Sequence, residues 1–162
     1  MKVIFDCRYT RFVRHDGISR YTAGLVEAFS RLHPVTMLIS DERQLALLPD
    51  LPWIKGRPGT SVLEPFIGML SINRWKPDIV FSPMQTMGAT GRHYKLVLTV
   101  HDMVFYRITK IPAGYSWYVR AIWRAFYLTY WPQRAVLKRA DAVVTGSYNC
   151  EREMIEARLT RR

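Results

Sequence analysis

The stretch His15-Asp16-Gly17-Ile18-Ser19-Arg20-Tyr21 joins the first predicted strand to the first predicted helix. Asp16 is a typical N-cap residue, and apolar side chains recur after it at helical spacing: Ile18, Tyr21, Leu25, Phe29 and Leu32. A glycine at such a junction lets a ligand approach the backbone closely, and the first helical turn offers free N–H groups to an anion. Taken locally, the stretch either belongs to a ligand site or only starts a helix.

Short apolar runs alternate with helical patterns along the rest of the chain. The predicted strands are 2–6, 35–40, 53–54, 77–83, 95–100 and 142–145. The predicted helices are 18–32, 41–48, 63–75, 114–140 and 148–158, with Pro132 kinking or splitting the fourth. Nearly all-apolar strands separated by helices predict an α/β protein with a mostly parallel sheet. The length of 162 residues fits a single domain, 1–162.

Composition is typical of a folded protein, with 49% hydrophobic and 23% charged residues. The two cysteines, Cys7 and Cys150, are too few for a disulfide framework and fit a reduced compartment. No apolar run approaches the roughly 18 residues that span a bilayer, and the first residues contain no signal-peptide core. We therefore expect a cytoplasmic protein.

The net charge of +11 favours an anionic partner. Residues 103–140 contain no carboxylate but seven cationic residues: Arg107, Lys110, Arg120, Arg124, Arg134, Lys138 and Arg139. Eight aromatic residues fall in the predicted helical region 114–140 of this stretch: Tyr115, Trp117, Tyr118, Trp123, Phe126, Tyr127, Tyr130 and Trp131. Such a segment either packs in the core, lies on an anionic membrane surface, or stacks on single-stranded nucleic acid.

Polar residues gather just past the ends of five predicted strands: Asp6 and Arg8, Ser40, Ser82, His101 and Asp102, and Ser147. In open parallel sheets ligands bind at this edge, so the pattern favours a site. His101 could exchange a proton or bind a hydroxyl or phosphate, with Asp102 orienting it. Alternatively, loop carbonyls satisfy the histidine and Asp102 caps a turn.

Several common sites are excluded by spacing. The histidines lack metal-ligand spacing with cysteines or carboxylates, so we expect no metal. The Gly17 loop lacks the glycines of a dinucleotide fingerprint, and neither a Walker A lysine nor a G-x-S-x-G motif occurs.

Three segments in series resemble glycosyltransferases of the GT4 type. Asp16-Gly17-Ile18-Ser19-Arg20-Tyr21, after Asp6-Cys7-Arg8, resembles the family's "GIGRY" loop, with Ser19 in place of the commoner glycine. Val100-His101-Asp102-Met103 resembles its "HD" strand end. The segment from Arg139 to Ser147 resembles its "RADAVITVS" sequence, with Gly146 in place of a bulkier residue.

The resemblance implies a GT-B fold, in which two Rossmann-like, doubly wound domains with helices on both sheet faces flank a cleft. This chain would be the N-terminal, acceptor-binding domain, without the C-terminal nucleotide-sugar domain, and inactive alone. By resemblance, Gly17 lies near the donor diphosphate and His101 beside the transferred sugar. Arg8, Asp16, Arg20 and Asp102 would bind the acceptor or support the site.

The implied reaction is retaining transfer of a hexose, mannosyltransferase-like, from a nucleotide-sugar to a glycan or lipid-linked acceptor. It would need neither a metal nor another cofactor, and it suits envelope polysaccharide or glycolipid synthesis, with docking on the inner face of the plasma membrane. The alternative is a basic α/β module that binds nucleic acid or acts as a non-catalytic interaction domain; under the leading interpretation no nucleic acid is expected.

Overall fold

The computed structural model of the chain describes residues 1–59, 69–107, 117 and 130–160. Six strands lie side by side in these residues: β1 (Val3–Asp6), β2 (Val35–Ile39), β3 (Trp53–Lys55), β4 (Ile79–Ser82), β5 (Lys95–Val100) and β6 (Ala142–Thr145). They form one sheet in the order β3-β2-β1-β4-β5-β6, and every neighbouring pair is parallel. The predicted α/β fold with a Rossmann-like, doubly wound sheet is confirmed.

Helical segments lie between these strands and after the last one. They are α1 (Gly17–Ser30), a 3-10 helix (Glu42–Leu47), α2 (Met69–Asn73), α3 (Val104–Arg107), α4 (Trp131–Leu137) and α5 (Tyr148–Glu156). The predicted helix at 41–48 is thus a 3-10 helix, and the prediction missed α3, whose four residues are too short for apolar periodicity. Much of the predicted helices at 63–75 and 114–140 lies outside the described residues. Pro132 lies in the first turn of α4, where a proline costs no hydrogen bond.

The two faces of the sheet each carry a hydrophobic cluster, because successive side chains of a strand point to opposite faces. One face holds Val3 and Phe5 with residues of α1, and Phe5 stacks on Phe81 at 4.5 Å between ring centroids. The other face holds Ile4 with residues of β4, β5, α4 and α5, among them Val80, Leu96, Leu98, Leu137, Cys150 and Met154. Helices therefore cover both faces of the sheet.

The direction of winding changes at the centre of the sheet. From β1 the chain runs outward through β2 and β3, then returns to pair β4 on the other side of β1. In register, Val3 of β1 lies between Val35 and Ile79. In doubly wound sheets, ligands bind in the crevice outside the carboxyl ends of the strands at this switch point. The carboxyl edge at β1 and β4 is therefore the place to look for a site.

Candidate functional site

A buried ion pair lies at the switch point. Asp6 ends β1, and Arg8, two residues later, donates from Nε and Nη2 to its two carboxylate oxygens at 2.8 and 3.0 Å. Both side chains are essentially inaccessible, at 0% and 1% exposure. Ser82, at the end of β4, donates its hydroxyl to the same carboxylate at 3.1 Å. The ends of the two central strands are thus tied together by one carboxylate.

Arg8 also fixes a more distant loop. Its Nη1 donates to the carbonyl of Arg57 at 3.1 Å, just past the end of β3. Because the guanidinium is buried against Asp6, Arg8 lies beneath the sheet edge rather than on its surface. That Arg8 binds the acceptor or supports the site stays a prediction.

Ser40, another polar residue past a strand end, is held within the fold. The buried side chain of Gln44 accepts from the backbone N–H of Ser40 at 2.9 Å and donates to the carbonyls of Arg8 and Thr10 at 2.9 and 2.8 Å. This amide joins the loops that follow β1 and β2. Ser40 is therefore held by protein groups at the edge of the candidate site.

Asp16 caps α1, as its residue type and position predict. Its carboxylate accepts from the N–H of Ser19 at 2.8 Å and from Nε of Arg11 at 2.6 Å. Partial burial raises the pKa of Asp16, but the Ser19 N–H and Arg11 outweigh it and hold the pKa below its ordinary value. Asp16 is thus an ionised capping residue, already engaged at the helix start.

Gly17 is the first residue of α1, and it is exposed. A Cβ built on it would meet no heavy atom within 4 Å, so the described protein does not itself require glycine here. The first turn of a helix presents backbone N–H groups that favour an anion. Arg20, one turn on, is also exposed and adds a positive charge to this end of the helix. The helix start is therefore open to a negatively charged ligand.

Ser19, which stands in place of a glycine in the loop sequence that the stretch resembles, is fully buried. Its hydroxyl lies 2.7 Å from Nδ1 of His15 and accepts from the N–H of Arg11 at 3.3 Å. A glycine could make neither bond, so the serine makes the loop before α1 more rigid.

His101 follows β5 and is fixed on two sides. Its Nε2 lies 2.8 Å from the carbonyl of Pro83, and because a carbonyl only accepts, Nε2 carries the hydrogen. The ring of Tyr21, in α1, meets the imidazole edge-on with ring centroids 4.9 Å apart and an interplanar angle of 88°. Tyr21 is one turn beyond Gly17. The Gly17 helix start and the His101 strand end thus meet through this contact.

Asp102 caps the short helix α3 by accepting from the N–H of Val104 at 3.1 Å, and it is exposed. The turn-capping alternative from the sequence therefore describes one of its contacts. His101 and Asp102 also line a cleft of about 140 Å³ at the ends of β5 and β6. The other lining residues are Met103, Val104, Ser147, Asn149, Cys150 and Glu153. The cleft can offer carboxylate and amide groups to a hydroxylated ligand.

A second cavity lies elsewhere. It measures about 600 Å³ and runs along β6 and α5, with Lys138 and Asp141 at the amino end of the strand. Those residues are at the opposite edge of the sheet from His101. We place the candidate site at the carboxyl edge, because Gly17, His101 and the switch point converge there.

Sequence reasoning located most of the residues at this edge but missed two of their partners. Tyr21 fits the apolar face of α1, and only its spacing of four residues from Gly17 hints at a place beside the loop. No sequence pattern indicated the contact with the carbonyl of Pro83.

Two other groups of residues singled out in the sequence have different outcomes. Ser147 caps α5 by accepting from the N–H of Cys150 at 3.2 Å. Of the aromatic residues in 103–140, those at 115, 118, 123, 126 and 127 lie outside the described residues, whereas Trp117 and Trp131 are 80% and 72% exposed.

Comparison with known proteins gives one family. The sequence profile described as Glycosyltransferase Family 4 matches residues 15–162. No curated protein matches the chain. Within the described residues, no helix has the length and apolar character that crossing a membrane requires.

Proposed function

The chain belongs to glycosyltransferase family 4, and we propose that it is the acceptor-binding domain of a retaining glycosyltransferase with a GT-B fold. Its partners are a hydroxylated acceptor, held at the carboxyl edge of the sheet, and a nucleotide-sugar bound mainly by a second domain. The reaction moves a hexose, with mannose the first candidate, to a glycan or lipid-linked acceptor. Its setting is envelope polysaccharide or glycolipid synthesis in the cytoplasm.

The observation that carries this proposal is the contact between Tyr21 and His101. It brings the open helix start at Gly17 and the imidazole at the end of β5 to one edge of the sheet. A diphosphate at the helix start and a sugar beside the imidazole would then be neighbours, as transfer from a nucleotide-sugar requires. Arg8, buried beneath this edge, supports it through Asp6.

The positively charged groups at the start of α1 can stabilise a diphosphate as a leaving group. When the bond between the anomeric carbon and the diphosphate oxygen breaks, the electron pair leaves with the diphosphate. The N–H groups of the first turn of α1 and the guanidinium of Arg20 favour that negative charge. Gly17 allows the phosphates to approach the backbone. We propose that these groups, rather than a metal ion, stabilise the leaving group.

Within the described residues, Nε2 of His101 donates to Pro83, and Nδ1 is the ring nitrogen that faces substrate. In the tautomer that carries its hydrogen on Nε2, Nδ1 takes a hydrogen bond from a sugar hydroxyl. That bond holds the sugar while positive charge develops at its anomeric carbon. Asp102 and the neighbouring cleft, with Asn149 and Glu153, then accept from hydroxyl groups of the acceptor.

A membrane surface is the proposed place of action. The net charge of +11 and the carboxylate-free stretch 103–140 favour an anionic bilayer, and the exposed Trp117 and Trp131 suit the interface between headgroups and acyl chains. A lipid-linked acceptor would be presented at that surface. The protein would then be peripheral on the inner face of the plasma membrane.

A binding titration tests the proposal. The chain is titrated with oligosaccharides, with a lipid-diphosphate-linked sugar in detergent, and with nucleotide-sugars. We expect saturable binding of an acceptor that Asp102→Ala weakens, and weaker binding of nucleotide-sugars that His101→Ala abolishes. Acceptor binding that Asp102→Ala leaves unchanged, or nucleotide-sugar binding that His101→Ala leaves unchanged, would contradict the proposal.

Nucleic-acid binding is the second candidate, and the high positive charge is the observation that favours it. It predicts tight oligonucleotide binding whose affinity falls steeply with salt, because bound counterions are released. Under the transferase proposal, oligonucleotide binding is weak and is not displaced by acceptor sugars.

A further inference from the structure

The loop between β1 and α1 exposes two adjacent apolar side chains. Val13 is 89% exposed and Phe12 is 43% exposed. They lie between Arg11 and Arg14, both exposed. Single exposed apolar residues are common on protein surfaces. Here two apolar neighbours in one loop have an arginine on either side in the sequence, so the loop combines apolar and cationic groups.

A third arginine contributes to this surface. The guanidinium of Arg43, from the 3-10 helix, lies over the ring of Phe12 with its carbon 4.4 Å from the ring centroid. Two of these arginines have carboxylate partners, Arg11 with Asp16 and Arg43 with Asp41, both at 2.6 Å. Arginines thus flank the apolar pair in sequence, and one of them, Arg43, covers a face of Phe12.

We propose that this loop, residues Arg11–Arg14, is a membrane-docking element whose occupant is an anionic lipid bilayer. Val13 and the open face of Phe12 enter the interface between headgroups and acyl chains, while the arginine heads stay among the lipid phosphates. Charge complementarity selects this occupant, because the chain carries a net charge of +11 and anionic lipids attract exposed cationic groups.

Docking of this loop would hold the start of α1 close to the lipid surface, because only His15 separates Arg14 from Asp16 and Gly17. An acceptor carried by a lipid would then reach the carboxyl edge of the sheet from the membrane side. The inference deepens the membrane association proposed above and rests on it, but not on the transfer chemistry.

Vesicle co-sedimentation with matched variants tests this surface. The full chain is mixed with vesicles of phosphatidylcholine alone, or of phosphatidylcholine with phosphatidylglycerol. Val13→Asp is compared with Leu32→Asp, because Leu32 is equally exposed, at 86%, but lies beyond the far end of α1. We expect Val13→Asp to weaken binding to the anionic vesicles about tenfold, through loss of apolar contact and like-charge repulsion. Leu32→Asp should bind as the unmodified chain does.

A second variant separates charge from apolar contact. Phe12→Ser combined with Val13→Ser leaves the charge unchanged and should weaken binding several-fold, with the same unfolding midpoint in urea as the unmodified chain. Equal binding by the Val13→Asp and Leu32→Asp variants would overturn the inference. So would a Val13→Asp effect on self-association or nucleic-acid binding without any effect on vesicles. Failure of acceptor binding in solution would instead count against the transferase proposal and leave this result standing.

Discussion

The imidazole of His101 is met edge-on by the ring of Tyr21, with 4.9 Å between the ring centroids. His101 follows β5, whereas Tyr21 lies in the first helix after β1, so the contact joins two parts of the chain that are distant in sequence. With its Nε2 bound to the carbonyl of Pro83, the imidazole is held from two directions. A ring fixed in this way presents Nδ1 in one orientation.

Tyr21 is predicted to act by positioning His101. Tyr21→Phe keeps the edge-to-face contact and should bind a nucleotide-sugar as the unmodified chain does. Tyr21→Ala removes the contact, which is worth about 0.5–1.5 kcal/mol between aromatic rings, and should weaken nucleotide-sugar binding about two- to tenfold. Calorimetric titration measures the affinities, and the NMR signals of the His101 ring should change in Tyr21→Ala alone. If both variants lose binding equally, the hydroxyl rather than the ring contact is required.

Gly17 is predicted to serve a ligand rather than the fold. Gly17→Ala adds a Cβ that meets no protein atom within 4 Å, so its free energy of unfolding should stay the same or rise. The methyl group should nevertheless weaken binding of a nucleoside diphosphate at least about tenfold, because it occupies the space that the phosphates need.

Gly24 provides the matched control, since it lies in the same helix and its added Cβ would also meet nothing within 4 Å. Gly24→Ala should stabilise the chain by about 1 kcal/mol, the usual difference between the two residues inside a helix, without changing ligand affinity. Equal ligand binding by the two alanine variants would show that Gly17 has no special role.

We predict that the buried Asp6–Arg8 ion pair contributes strongly to the free energy of unfolding. Arg8→Ala leaves a buried carboxylate without its cation, and such a loss costs about 3–5 kcal/mol. The exposed pair Arg31–Glu27, at 73% and 55% exposure, is the control, and Arg31→Ala should cost at most about 0.5 kcal/mol. Urea unfolding measures both. A small effect of Arg8→Ala would mean that the sheet edge does not depend on this pair.

We predict that Asp141, at the amino edge of the sheet, makes the free energy of unfolding depend on pH in the acid range. It pairs with Arg92 at 2.6 Å and Lys95 at 3.2 Å, and accepts from the N–H of Leu96 at 2.8 Å. Burial raises the pKa of Asp141, but the Leu96 N–H, Lys95 and Arg92 outweigh it, so the folded-state pKa lies below the ordinary 3.8.

A depressed carboxyl pKa stabilises the folded state above the unfolded-state pKa, and this contribution is lost as pH falls through the folded-state value. Asp141→Asn should therefore be less stable than the unmodified chain at neutral pH, with the difference shrinking below about pH 3.8. Urea unfolding across pH measures it, and a difference that persists at low pH would rule out this cause. Because Asp141 lies far from Gly17, its variant should keep acceptor affinity.

The main elements of the fold are predictable because their signals are local. Apolar runs bounded by proline, glycine or polar residues mark the strands, and Asp16 is a capping residue by type and position. The 3-10 helix at Glu42–Leu47 and the four residues of α3 are harder, because neither is long enough for helical periodicity to distinguish it from a turn.

The candidate site can be predicted only in part, because some of its contacts join segments that are distant in sequence. Parallel strands place their carboxyl ends at one edge, so His101 and the Gly17 loop could be assigned to it from the sequence. Whether Arg8 faces a ligand or Asp6 depends on packing between strands, and the Tyr21–His101 contact depends on how α1 lies across the sheet. Those relations are long-range, and no spacing in the sequence specifies them.

The central claim is that Gly17 and His101 border one ligand site at the carboxyl edge of the sheet. Titration of the ¹⁵N-labelled chain with an acceptor saccharide and a nucleoside diphosphate, followed by heteronuclear NMR, tests it most directly. We predict that the Gly17 amide and the His101 ring signals shift with the bound ligands, while Lys138 and Val143 at the β6 cavity stay unchanged. Shifts confined to Lys138 and Val143, with Gly17 and His101 unmoved at saturation, would contradict the claim.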